Sequence, residues 1–245
     1  MTSTRPDGER SRSVSFGRWL FRWRGLTPVP VIAAVAFLAL RTLRASPPRG
    51  AHLAALAGLG ACLLGQALRA WVRGVVTTDS SNQGRSLSAG TLNIAGAYRF
   101  TRNPLYLGNL LLVAGLLVQV PDPLAWLLGL GFFFGQYYFI IRAEEDYLLS
   151  RFGDPYRRLL AEVPRFFPRF TPAPAGPAGA FDGKRALFTE HNTAAAWLSG
   201  LFFLSLLRAE AQRPAPSLAT ALPALAGFAA VGATWLAIKG AKRGW

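Results

Sequence analysis

The chain has 245 residues, of which 51% are hydrophobic and only 16% charged, with 27 Lys and Arg against 12 Asp and Glu. That charged share lies well below the roughly 25% of soluble domains, and a mean hydropathy of +0.27 excludes a disordered polymer. One cysteine and two histidines exclude a disulfide framework and a cysteine-based metal cluster, and leave little for a histidine metal site.

Residues 1–24 read as a basic arm whose end, Arg18-Trp19-Leu20-Phe21-Arg22-Trp23-Arg24, mixes aromatics and Arg as an interfacial anchor does. The charged stretch is long and no small-residue cleavage site follows the apolar segment, so a cleavable signal peptide is not expected. Charge-free runs then follow at 25–40, 50–68, 103–121, 123–141, 191–207 and 214–238, of 16, 19, 19, 19, 17 and 25 residues. A bilayer core of about 30 Å takes about 20 apolar residues of helix, so the pattern predicts an all-α, polytopic membrane bundle of about six spans. Ser46-Pro47-Pro48-Arg49-Gly50 joins the first two, and Pro121-Asp122-Pro123 closes the third and fourth into a hairpin. A polar helix is expected over 142–163, with a kink at Pro155 or a boundary near Gly153. The expected organisation is an arm over 1–27, a core over 28–171, a Pro/Gly-rich linker over 172–190 and an appended pair of spans over 191–245.

The loops support the same reading. With six spans, one side of the membrane holds 22 Lys and Arg and the other 5. The positive-inside rule places the 22, with both termini, in the cytoplasm. The high pI then reflects topology and contact with anionic membrane lipids, and no nucleic-acid partner is expected, because the arginines bracket apolar runs rather than cluster on a soluble face.

The Gly58-Leu59-Gly60 and Gly129-Leu130-Gly131 fragments sit inside apolar runs, where small residues serve helix packing rather than nucleotide binding. Two polar segments remain. Gly96 to Gly108 holds Tyr98, Arg99, Arg102, Asn103 and Tyr106 around Pro104, which suits the first turn of a helix; a helix N-terminus can receive a carboxylate. Arg142-Ala143-Glu144-Glu145-Asp146 follows the fourth span. Neither Glu has a basic residue four positions on, where Leu148 and Leu149 stand, so local helix pairing does not explain them. The hairpin makes these two segments neighbours. A basic and an acidic cluster converging at one end suit a zwitterionic ligand such as an amino-acid moiety.

At these residues the chain resembles the isoprenylcysteine carboxyl methyltransferase and phospholipid methyltransferase superfamily. The motifs are Arg102-Asn103-Pro104-Leu105-Tyr106-Leu107-Gly108, then Glu144-Glu145, Leu148, Phe152-Gly153, Tyr156 and Val163-Pro164-Arg165. The resemblance covers about residues 50–170. It implies a membrane-embedded enzyme that uses S-adenosyl-L-methionine near the cytoplasmic face, in a bacterial inner membrane, on a lipophilic small molecule or lipid. Carried over by position, cofactor contacts come from Gln83, from Gly90, Thr91, Leu92 and Asn93, and from Tyr98, Arg102, Asn103, Tyr106 and Glu144. Asn103 and nearby backbone N–H groups would hold the methionine carboxylate, Glu144 would pair with the ammonium or hydrogen-bond the cofactor, and Tyr98 and other aromatics would face the sulfonium by cation–π attraction.

The chain departs from the pattern twice. Isoprenylcysteine enzymes have His where Asn103 stands, and the family's substrate-binding Arg falls on Ile140. Arg142, the nearest replacement, is about 200° away around an ideal helix. Arg142 and Glu145 are the expected residues of the acceptor side. A carboxylate acceptor needs mainly placement, whereas an amine must lose a proton, for which Glu145 is the expected base. Isoprenylcysteine-type O-methylation therefore stands beside phospholipid N-methylation. A nicotinamide-dependent membrane reductase and a non-enzymatic membrane protein are the readings of another class. The sequence leaves the oligomeric state open.

Overall fold

A computed structural model describes residues 7–45, 50–76, 87–173, 180–211 and 218–242. These form eight α-helices: α1 (Asp7–Trp23), α2 (Val29–Ala45), α3 (Ala51–Val75), α4 (Pro104–Leu117), α5 (Pro123–Phe152), α6 (Asp154–Glu162), α7 (Gly183–Ala211) and α8 (Leu218–Lys242). A 3-10 turn spans Gly96–Arg99, and no strand occurs among the described residues. The all-α expectation is met.

Four helices are long and apolar enough to cross a bilayer: α3, α5, α7 and the Ala221–Lys242 part of α8. Large side chains such as Phe37, Leu53, Leu64, Leu127 and Leu236 face outwards on these and neighbouring helices, as expected where lipid replaces water. The chain is an integral membrane protein. The expected six spans are approximate, because α2 has 17 residues and α4 only 14. At 1.5 Å per residue α4 reaches about 21 Å, and its charge-free run continues as a turn through Val120.

The packing has a glycine seam at its centre. α3 and α4 lie antiparallel, Gly58 against the Gly115 carbonyl and Gly65 against that of Gly108. A Cβ on Gly65 would stand 2.7 Å from that oxygen, so only glycine permits the approach. Each Gly-x-Gly fragment uses its first glycine for packing, Gly58 on α4 and Gly129 on Leu117, while Gly60 and Gly131 face open space. The stretch marked by composition as an interfacial anchor is α1, which packs along α5. Gly17 meets the Phe139 carbonyl there, and Leu20 and Phe21 bury against Ile140. α8 packs on α7, and α7 on α3.

Asp122 ties the short helices at the hairpin turn. Its Oδ1 accepts from the Leu124 and Ala125 N–H groups, capping α5, and Thr42 Oγ1 donates to Oδ2 at 2.7 Å. The Thr42 bond chiefly, then the backbone donors and Arg41, hold its carboxyl below the usual value. A depressed pKa contributes stability above the ordinary carboxylate value of 3.8 and loses it as pH falls through the folded value. Asp122→Asn is therefore expected to lower the unfolding midpoint near neutral pH, with the gap to wild type closing on acidification. A gap unchanged by acid in a detergent-solubilised melt would contradict this.

Candidate functional site

α5 runs past the bilayer-length stretch and ends at Phe152, where Gly153 adopts φ 57°, a left-handed conformation open to glycine. The chain turns into α6 and returns across the start of α4. Backbone bonds run from Arg102 N to Pro164 O at 3.0 Å, Arg169 N to Phe100 O at 3.0 Å and Ala173 N to Arg99 O at 2.9 Å. Thr101 Oγ1 donates to Phe166 O at 2.9 Å, and Asn103 Nδ2 to Arg165 O at 2.7 Å. This strap fixes the Arg99–Asn103 segment beside the end of α5.

Between them lies a polar cavity of about 530 Å³, within the usual range for small-molecule and cofactor sites. Thr91, Leu92, Asn93, Tyr98, Arg102, Asn103, Tyr106, Glu144 and Glu145 all line it. The structure thus brings together most of the residues singled out by sequence. Gly90 is exposed and not in the lining. Gln83 lies outside the described residues. Arg142 also stands apart: its Nη1 donates to Tyr138 Oη at 2.9 Å, and its guanidinium lies 5.6 Å from that ring's centroid.

The two adjacent carboxylates have different partners. Glu144 Oε1 accepts from Tyr106 Oη at 2.8 Å. Glu145 is gripped by Arg165 through both oxygens, at 3.0 and 2.6 Å, and Arg102 Nη1 lies 3.2 Å away. A base at Glu145 would first have to release Arg165. Arg102 Nε is buried without a hydrogen-bond partner in a side chain only 10% exposed. Burial pushes the Tyr98 hydroxyl up to about 12, against the opposing pull of Arg73, so it stays protonated at neutral pH and can donate.

Sequence reasoning missed contributions from four helices. Phe21 and Arg24 reach the cavity from the end of α1, Arg69 and Arg73 from α3, Phe188, Thr189, Asn192 and Thr193 from α7, and Lys242 from α8. Glu190 on α7 anchors the α3 wall, accepting from Arg69 Nε at 2.7 Å and Nη2 at 2.9 Å, with Arg73 Nε at 3.4 Å. Arg69 Nη1 also donates to Asn109 Oδ1 at 2.5 Å, and Asn109 Nδ2 to Tyr137 Oη at 2.8 Å. The available signal was charge on two bilayer-length helices, Arg69 and Arg73 on α3 and Glu190 on α7.

A second, apolar cavity of about 400 Å³ opens among α2, α4, α5 and α7, lined by residues such as Ile32, Val35, Leu116, Phe133 and Trp197. It shares Arg24, Asn109, Tyr137 and Thr193 with the polar cavity.

No curated protein and no solved structure matches the chain. The family model described as phospholipid methyltransferase matches residues 53–155, which carry α3, α4, α5 and most of the polar cavity's lining. That stretch, 103 of the 245 residues, is similar to the phospholipid methyltransferase family.

Proposed function

We propose that the chain is an S-adenosyl-L-methionine-dependent methyltransferase acting on a lipophilic acceptor, with the polar cavity as its cofactor site facing the cytoplasm. The observation that carries the reading is the mixed-charge lining of that cavity at the end of the α4–α5 hairpin, inside the matched stretch. The cofactor's amino-acid end needs cationic and anionic partners side by side. Arg102, with its unpartnered buried Nε, fits a carboxylate, and Glu144 fits an ammonium. Asn93, Asn103 and Thr91 offer neutral hydrogen-bonding groups, and the faces of Tyr98 and Tyr106 suit a sulfonium. When bound, the cofactor supplies an electrophilic methyl group. The protein's part is to hold the acceptor in line with it and exclude water. Glu145, clamped between Arg102 and Arg165, secures the strap that closes the site. Arg142, on Tyr138, fits a bilayer-edge anchor better than a contact to the acceptor. The 22-to-5 Lys and Arg asymmetry supports the cytoplasmic orientation.

The apolar cavity that meets the polar one at four shared residues supports a hydrophobic acceptor. O-methylation of an isoprenylcysteine-like carboxylate and N-methylation of a phospholipid amine both fit this general architecture.

Calorimetric titration of the purified protein with S-adenosyl-L-methionine tests the reading. Asn103→Ala and Glu144→Gln are each expected to weaken binding by about 10- to 150-fold, the loss of one hydrogen bond to a charged group of about 1.5–3 kcal/mol. Unaltered affinity in both folded variants would place the cofactor elsewhere.

A further inference from the structure

The junction between the two cavities has a defined hydrogen-bond polarity. Arg69 is held by Glu190 from α7 and presents Nη1 to Asn109. A guanidinium only donates, so the amide atom facing it must be Oδ1. The Asn109 amino group is thereby turned to Tyr137 Oη, at 2.8 Å. An amino group also only donates, so the Tyr137 oxygen accepts, and its single hydrogen is left to point elsewhere. No described residue receives that hydrogen. The same arginine donates through Nη2 to Thr193 Oγ1 at 3.1 Å, which makes that hydroxyl an acceptor towards Arg69 and leaves its hydrogen for another partner. Arg24 is the remaining shared residue, and none of the four is acidic. Arg24 is itself engaged, donating to Phe21 O at 2.8 Å, so what the junction turns towards a ligand is two hydroxyl hydrogens.

We propose that Tyr137 is a direct acceptor contact, fixed as a hydrogen-bond donor by the Glu190–Arg69–Asn109 relay, and that it selects an apolar-tailed acceptor carrying an anionic oxygen over an amine. The proposal rests on reading the polar cavity as the cofactor site, which places the acceptor's head group at the junction and its tail in the apolar cavity. Tyr137 would touch the acceptor. Glu190, Arg69 and Asn109 are positioning residues that act through it, and α7, outside the matched stretch, thereby sets specificity for the core. An ammonium would meet the Arg24 charge and two hydroxyls already turned to donate.

The test uses the full chain in nanodiscs of zwitterionic lipid, with empty discs subtracted. Binding of hexadecanoate and hexadecylamine is measured at about pH 8.5, where carboxylate and ammonium are both charged. Wild type is expected to bind the carboxylate at least about tenfold more tightly. Tyr137→Phe, which keeps the ring, should remove most of that advantage. Asn109→Asp keeps an oxygen for Arg69, so the relay's anchor survives, but its second oxygen takes the Tyr137 hydrogen. The preference should then narrow or reverse, and by less in a Tyr137→Phe background, which direct repulsion by the new carboxylate alone would not produce. Equal or tighter binding of the amine to wild type, an unchanged preference in Tyr137→Phe, or no binding above empty discs overturns the proposal. S-adenosyl-L-methionine titrated in parallel separates the two readings. Its failure to bind, with the Tyr137-dependent preference intact, overturns the cofactor assignment and leaves this contact standing.

Discussion

Glu190→Ala is expected to destabilise the protein by about 3–5 kcal/mol, the cost of leaving a buried charge without its partner. The side chains of Glu190 and Arg69 are 4% and 9% exposed, and Arg73 leans on the same carboxylate. Removing the acid strands Arg69 between α3 and α7, and the Gln66 link to Trp197 on α7 cannot neutralise it. The double change Arg69→Met with Glu190→Leu should recover part of the loss, because apolar side chains of similar volume remove those two charges together, while Arg73 still loses its partner. Thermal unfolding in mild detergent reads both effects. Wild-type stability in Glu190→Ala would show that the pair contributes nothing to holding α7 against α3.

The second large effect lies in the glycine seam. Gly65→Leu and Gly115→Leu are each expected to cost about 1–3 kcal/mol, towards the upper end, since overpacking here meets backbone. A Cβ at Gly65 would stand 2.7 Å from the Gly108 carbonyl, and one at Gly115 2.7 Å from the Gly58 carbonyl. Carbonyls cannot rotate out of the way as a long side chain can. Gly60→Leu, on the same helix with open space around it, is the control and should melt near wild type. Gly108→Ala adds a specific consequence: its Cβ would meet the Arg69 Cγ at 2.5 Å, so ligand binding in the polar cavity that Arg69 lines should suffer even where the melt shifts little. Equal melts for Gly60→Leu and Gly65→Leu would remove the seam from the account.

The legibility of this chain followed how charge was used as punctuation. Charge-free runs located α3, α5, α7 and α8 because lipid tolerates few charges on a spanning helix. The rule misplaced α2, whose run began at 25 and stopped before Arg41, whereas the helix covers Val29–Ala45. The helix continues through Arg41, which comes within 3.7 Å of Asp122, and ends just after Arg44. The rule missed the start of α7 in the same way. Glu190 marked a boundary in sequence, yet it lies seven residues into a helix that begins at Gly183, buried because Arg69 answers it. Two charges that cancel across 121 residues cannot be read from either neighbourhood alone. The site's centre was legible because Asn103 and Glu144 sit at the two ends of one short hairpin. Its α1, α7 and α8 walls were not, since Phe21, Thr193 and Lys242 carry no local pattern that distinguishes a cavity lining from a lipid-facing surface.

The Arg69–Glu190 pair also imposes an order on synthesis. α3 leaves the ribosome well before α7, and at about 5–20 residues per second the intervening chain takes roughly 6–24 s to make. During that interval the arginine has no acid to meet. A lone arginine at the centre of a spanning helix costs about 2.5–3.5 kcal/mol in translocon insertion. Arg69 stands midway between the middle and the C-terminal end of α3, and from there a long side chain can extend towards the headgroup region. The arrival of α7 then draws it inwards. Closure of the α7 wall of the cavity and burial of this charge are thus expected to coincide, and a chain halted before α7 would carry the matched stretch without that wall.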